Sequence, residues 1–320
     1  MKRRLVAVAA ALMCMLSAAS AADYPKRIVK IVVPSPAGGA TDVVARVVVD
    51  AVTRQLGRPW AIIENVGTAG GAIGVERVAR TEPDGYTLLV GGAGNLTVAP
   101  AIGKTAYDTV RDFAPVILLN RTAVIAVANP STGVRTLKDL IERAKAQPGK
   151  LNFATGGRGI LPHLVGMAVL KQAGIDMVHV PYRGESPATT DLLAGHIGFG
   201  FIGLPTVAPH LKSGALIALG TGSVDTYPEF ATIPQIAATF PGFDMDGWYA
   251  VLAPAGTPAD AIDWLNKTFQ AALADAQVQE KLRGVGAVAG GGKPEVLRKQ
   301  IEKDLAVYRD IAQSFDIRAD

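Results

Sequence analysis

The sequence predicts an α/β protein of two lobes, each built on a parallel-type sheet, with a cleft between them. Three observations lead there. Short apolar, β-branched runs alternate with segments of helical period along nearly the whole chain, the pattern of parallel strands joined by helices. Four loops rich in glycine or small residues fall at the carboxyl ends of such strands, around Ser35–Asp42, Gly91–Thr97, Thr155–Ile160 and Gly203–Pro205. Adjacent apolar runs at 114–119 and 122–128, with a later one at 248–253, divide the chain into residues 23–122 plus 247–320, and residues 123–246.

Residues 1–22 stand outside this fold. Lys2, Arg3 and Arg4 precede an apolar run from Leu5 to Leu16, and Ala19, Ser20 and Ala21 follow as small residues, the layout of a cleaved secretory signal peptide. The run is too short to span a bilayer. Cys14 lies within it and follows Met13, which disfavours a lipid-anchored start; the remaining chain carries no cysteine. An exported, disulfide-free chain of this length, with 49% hydrophobic residues, is expected to fold through its core, in the periplasm. Removing the three signal cations leaves 29 basic against 28 acidic residues. That near balance gives no electrostatic case for nucleic acid.

The elements follow in order. The β-branched run from Ile28 enters a loop of Pro34, Pro36, Gly38 and Gly39, and Thr41, Val43, Val44, Val47, Val48, Ala51 and Val52 then recur at helical spacing. Gly57 stops that helix, Trp60–Glu64 reads as a strand, and Ala72–Arg80 as a short helix. Pro83-Asp84-Gly85 turns into the strand Tyr86–Val90, which runs into the second glycine loop. Beyond the paired apolar runs come a helix at Thr136–Ala146, a strand at Leu151–Ala154 and a helix opened by Pro162. Strands at Met177–Val180, Ile197–Ile202 and Ala215–Leu219 alternate with helices at Ser186–Ala194 and after Pro205. Trp248–Ala253 returns the chain to the first lobe, and Ala259–Ala274, Val278–Arg283 and Pro294–Phe315 close it as helices.

In open parallel sheets, ligands bind beyond the carboxyl ends of the strands. The four loops therefore supply the candidate site: Ser35, Ala37, Gly38, Gly39, Thr41 and Asp42 in the first; Gly92, Ala93 and Asn95 in the second; Thr155, Gly156, Arg158, Gly159 and His163 in the third; Gly203 and Leu204 in the fourth. Gly38 and Gly39 let a ligand approach the backbone closely, and the amides of a starting helix favour an anion. Alternatively, Gly-Gly is a tight strand-to-helix turn and nothing more.

Catalytic and cofactor motifs are missing. His163, His179, His196 and His210 have no metal-binding spacing, and Gly-x-Ser-x-Gly does not occur beyond the leader. Gly290-Gly291-Gly292-Lys293 has Ala287 where a P-loop needs its first glycine and Pro294 where it needs Ser or Thr. Both this segment and Gly67–Gly74 read as ordinary loops, so neither a cofactor nor a metal is expected.

An ordered series of motifs then becomes specific. Tyr24-Pro25, Val33-Pro34, Gly38-Gly39-Ala40-Thr41-Asp42, Glu64-Asn65, Gly70-Gly71 and Gly74 are followed by Pro83–Leu89, Asp112–Val116, Pro148–Ala154, His179–Gly184, Asp191–Gly195 and Leu252–Pro258. In this order they resemble the Bug family, the substrate-binding proteins of tripartite tricarboxylate transporters, over essentially the whole mature chain. The resemblance implies a type II, Venus-flytrap periplasmic binding protein. It would act as a monomer that closes around a small organic acid and delivers it to transporter subunits in the membrane, without catalysis. A sensor subunit signalling through the same closure is the alternative. The family holds a ligand carboxylate through the loop matching Ser35–Asp42 and through bridging waters, so Asp42 is expected to cap amides or orient water; a first-turn acid favoured by the helix dipole is the equal alternative.

The chain departs from the family pattern in its third and fourth loops. Arg158 either forms a bidentate pair with a second carboxylate or is solvated. Ile160, Leu161 and the sequence Ile202-Gly203-Leu204 suggest an apolar wall and a ligand with one carboxylate and a less polar body.

Overall fold

The computed structural model describes residues 24–67 and 71–318; the expected signal peptide and Gly70 lie outside them. Eleven strands form two sheets. The first contains β1 (Val29–Val33), β2 (Ala61–Asn65), β3 (Thr87–Gly92), β4 (Phe113–Thr122), β10 (Gly247–Pro254) and β11 (Ala287–Gly291), in the order β11-β4-β10-β3-β1-β2. The second contains β5 (Val124–Ala128), β6 (Asn152–Thr155), β7 (Val178–Pro181), β8 (Phe199–Gly203) and β9 (Ile217–Thr221), in the order β7-β6-β8-β5-β9. A single residue, Ala123, separates β4 of one sheet from β5 of the other.

The α/β architecture agrees with the sequence, but the sheets are mixed. Pairs β1/β2, β1/β3, β6/β7 and β6/β8 are parallel. Strands β4, β10 and β11 pair antiparallel in the first sheet, as do β5, β8 and β9 in the second. The chain crosses between sheets without an intervening helix at Ala123, so it continues into the second sheet against the direction of β8. Strand β11, read from sequence as loop, pairs with β4 along Ala287–Gly291. Its glycines are required there: a Cβ on Gly290 would lie 2.6 Å from the Leu118 carbonyl oxygen.

Helices α1 (Ala40–Leu56), α2 (Ala72–Ala79), α3 (Ala99–Ile102), α4 (Leu137–Ala146), α5 (Leu161–Ala173), α6 (Glu185–Ala194), α7 (Leu204–Lys212), α8 (Ala259–Ala274), α9 (Ala276–Gly284) and α10 (Pro294–Ser314) cover the sheets. In α10 the residues Leu297, Ile301, Leu305, Tyr308 and Ile311 recur at helical spacing and are buried, the stripe expected of a helix laid on a core. One apolar cluster joins this stripe and Trp248 to Phe153, Leu164 and Phe201 beneath the second sheet. Lys171 on α5 reaches across to Asp310 at 2.8 Å, so α10 touches both halves.

At the strand crossings a charged group is enclosed. Arg121 near the end of β4 donates to Asp246 at 2.8 Å and to Gln300 at 2.8 Å, while Trp248 Nε1 donates to Asp304 at 2.7 Å. These bonds tie β4, the start of β10 and α10 together where the chain passes between sheets.

Candidate functional site

The loop after β1 is built around Asp42. Its carboxylate is 1% exposed and accepts hydrogen bonds from the Gly38 amide at 2.8 Å, Arg46 Nε at 2.9 Å and Asn65 Nδ2 at 2.9 Å. Asn65 also donates to the Ser35 carbonyl at 3.1 Å. Burial alone would raise the Asp42 pKa, but the bonds from Arg46, Gly38 and Asn65 outweigh it and hold the value at about 2. Asp42 therefore shapes the loop by capping an amide from within. Gly38, at φ 80°, supplies the left-handed turn this requires. Gly39 starts α1 in an extended conformation, and no side chain caps the first turn, so its N–H groups remain available at the positive end of the helix.

These amides border a cleft of about 280 Å³ between the sheets. Ala40 faces it from α1, Ala93 and Gly94 from the loop after β3, Leu161 and Pro162 from the start of α5, Glu185 from the start of α6, and Gly203, Pro205 and Thr206 from the start of α7. Trp248 and Tyr249 on β10 form its floor together with the crossing residues Thr122–Val124. A side pocket of about 200 Å³ shares Ala40, Thr122, Pro205 and Tyr249 with the cleft and includes Gly38. Among the described residues, no lysine or arginine lines either space.

Of the residues expected from sequence, Ala93 and Gly203 line the cleft and Gly38 the side pocket. Thr41 lies against the Tyr249 hydroxyl, whose pKa is raised by burial and by the Glu185 charge, with the Thr41 hydrogen bond acting the other way. Ser35 and Gly39 shape the first loop, and Ala37 is exposed on its outer side. Asn95 is turned to the backbone, accepting from the Gly92 amide at 3.0 Å. A Cβ on Gly92 would lie 2.6 Å from the Tyr249 ring, so this glycine seats the tyrosine.

The third and fourth loops are filled more from within than the sequence implied. Thr155 is buried and bonds to the Gly157 carbonyl at 2.7 Å and to His179 Nε2 at 2.7 Å. His163 stacks on His179 with 4.0 Å between ring centroids and accepts from the Gly159 amide at 3.1 Å. Burial and then the nearby Arg158 charge lower the His163 pKa to about 4, so the ring is a neutral part of the core. Gly156 is packed against Glu185, and Gly159 against Ile102 of α3. Arg158 is exposed. Leu204 is fully buried with Val207 and Tyr227, away from the cleft, and its amide donates to the Ala123 carbonyl at 2.8 Å. Its apolar side chain belongs to the core under β8; only its backbone starts the helix.

Sequence reasoning missed Glu185, Tyr249 and Asn120. Glu185 accepts from the Gly203 amide at 3.0 Å and from the Thr206 hydroxyl at 2.7 Å. Its signal was an acid directly before Ser-Pro at a helix start. Tyr249 sits within an apolar run that reads as pure core. Asn120 is fully buried on β4 and lines the side pocket; with Arg121 it interrupts two apolar runs, which reads as a turn.

The match to known proteins covers most of the chain. A family model described as tripartite tricarboxylate transporter family receptor matches residues 44–314. BugT of Bordetella pertussis is 33% identical over 300 residues, covering 92% of this chain and 91% of BugT. Among solved structures, an R. palustris protein with adipate is 30% identical, with a TM-score of 0.77, covering 92% of this chain and 99% of that one. MatC from Rhodopseudomonas palustris, with bound malate, is 30% identical with a TM-score of 0.73, covering 90% of this chain and 99% of that one.

Proposed function

The chain belongs to the tripartite tricarboxylate transporter receptor family, and from that premise we propose that it captures a small organic carboxylate in the cleft between its two sheets and delivers it to a membrane transporter. The observation that carries this reading is the uncapped first turn of α1, facing a cleft that the second lobe closes from the opposite side. There the ligand's carboxylate accepts from backbone amides, directly or through water, while Asp42 keeps the loop in shape from behind. The adipate and malate in structures of two relatives support the ligand class.

On this reading the receptor works in the periplasm as a monomer divided into residues 23–122 plus 247–320 and residues 123–246, a division that the position of Ala123 between β4 and β5 supports. Hinge motion at Ala123 and before Gly247 would open and close the cleft. We read it as a binding protein and not an enzyme, as the receptor family supports; the one carboxylate lining the cleft, Glu185, is engaged by the Gly203 amide and the Thr206 hydroxyl within the start of α7.

Native mass spectrometry of the protein as purified, followed by denaturation, tests the reading. A stoichiometric organic acid, or a binder from a broad carboxylate panel offered to the stripped protein, supports it. No binder from such a panel refutes it. Loss of uptake of that acid on deleting the gene would then establish delivery, whereas a transcriptional response without loss of uptake would favour a sensor.

A further inference from the structure

The side pocket contains a feature that carboxylate capture does not use. Asn120 is 0% exposed, and neither its Oδ1 nor its Nδ2 has a hydrogen-bond partner among the described residues. The other buried side-chain atoms without a partner among the described residues belong to residues that do not line this pocket. Its backbone is held in the sheet, opposite Tyr249 on β10 and Ala289 on β11, so the side chain cannot leave by a local shift of the chain. Leaving a buried amide without partners is costly. An asparagine is retained at such a position at a net loss unless something else supplies its partners.

The pocket around it has a definite character. Val43 and Val44 of α1, Val285, Ala287 at the start of β11 and Pro205 of α7 line it with Asn120, giving a mostly apolar sleeve whose other polar side chains, Thr122 and Tyr249, already bond to the Gly286 carbonyl and to Thr41. It adjoins the cleft, with which it shares Ala40 at the first turn of α1. A ligand held there by its carboxylate would direct its other end along the sleeve to Asn120. The carboxamide offers one acceptor oxygen and two N–H donors. A second carboxylate would use the donors but face Oδ1 with its own lone pairs, and no cation lines the pocket to offset its charge. A neutral group with a donor beside an acceptor satisfies both atoms at once.

We propose that this side pocket is a specificity subsite in which Asn120 pairs with a neutral amide-like group at the far end of a monocarboxylate. The inference rests on the receptor reading above. It narrows the ligand class from organic acids in general to acids with an uncharged, hydrogen-bonding terminus on an aliphatic body.

Calorimetric titration of the stripped protein with straight-chain acids of four to seven carbons tests it, each length supplied as the plain monoacid, the diacid and the diacid monoamide. At the best chain length the monoamide should bind about tenfold or more tightly than either companion. Asn120→Leu should abolish that advantage, so that monoamide and monoacid converge, and should raise the melting temperature of the ligand-free protein, because a buried unpaired amide is replaced by an apolar group of similar size. Val285→Phe, which narrows the sleeve and leaves the Asn120 carboxamide in place, should shorten the longest monoamide accepted and keeps the test open if Asn120→Leu folds poorly. Plain acids binding wild type as tightly as their monoamides, or Asn120→Leu weakening all three companions equally, would overturn the subsite and leave the receptor intact. Failure of every acid here and of the broad carboxylate panel would remove the receptor reading, and the subsite with it.

Discussion

The loops after β1 and β8 have the same local design and opposite chemical states. Both lead from the carboxyl end of a buried strand through glycine into a helix, and both have a carboxylate from their own chain nearby. In the first, Asp42 binds the Gly38 amide from behind and leaves the first turn of α1 uncapped. In the second, Glu185 reaches from α6 and takes the Gly203 amide and the Thr206 hydroxyl, so an acid already sits at the start of α7, although no side chain caps its first-turn amides. One helix start can therefore receive an anion, while the other already holds one. A glycine-rich loop at a strand end is thus not in itself a binding site; the placement of the neighbouring acid decides.

The largest expected effect comes from removing the acid that keeps the first loop open. Asp42→Ala leaves the Gly38 amide, Asn65 and the half-exposed Arg46 without their common acceptor. A loss of about 3 kcal/mol in unfolding free energy and at least a tenfold loss of carboxylate affinity are expected, measured by urea denaturation and titration. Retained affinity would show that the loop does not depend on Asp42 and would break the comparison at its first term.

The same acid gives a pH signature. Its pKa lies near 2 in the folded protein against an ordinary 3.8, so the unfolded chain takes up a proton first as pH falls. Ionised Asp42 then contributes about 2 kcal/mol above pH ~4, lost progressively as pH drops toward 2. Asp42→Asn lacks this contribution, so the stability gap between wild type and variant should narrow over that window. A constant gap would mean that the carboxylate's charge does not stabilise the loop.

Glu185→Gln probes the other side. Glutamine keeps one acceptor for Gly203 or Thr206 and removes the negative charge from the cleft. Diacid affinity should rise about tenfold relative to a monoacid of equal length, from relief of like-charge repulsion at short range. An unchanged ratio would place the far end of the ligand away from α7, and the occupied loop would lose its role in selection.

The difference between these loops also marks what could be read from the sequence. Strand-loop-helix units, their order and the crossing near residue 123 were legible because they depend on local periodicity and turn chemistry. The strand directions of β4, β10 and β11 were not, since they depend on how the chain passes between sheets. Glu185 was invisible as a partner of Gly203 because the bond spans 18 residues, and Leu204 was misplaced because an apolar residue beside a glycine loop fits a pocket wall and a core equally well. Tyr249 and Asn120 were hidden by their surroundings: an aromatic inside an apolar run reads as core, and a polar pair between two such runs reads as a turn. In the structure, Asn120 and Arg121 lie within one ten-residue strand.

The smallest effect is expected at Arg158. Sequence left it as either the partner of a second carboxylate or a solvated cation. The structure gives it an exposed position with no hydrogen bond or ion pair among the described residues, beyond the residues that line the cleft and side pocket. An exposed, unpaired guanidinium acts on a ligand through high-dielectric solvent and contributes little. Arg158→Ala should therefore change monoacid and diacid affinities alike, each by less than about threefold, in contrast to the selective response at Glu185. A loss confined to diacids would bring Arg158 into the closed cleft as the cation that faces Glu185, and the second lobe would then have to be counted as an anion-binding partner of the first.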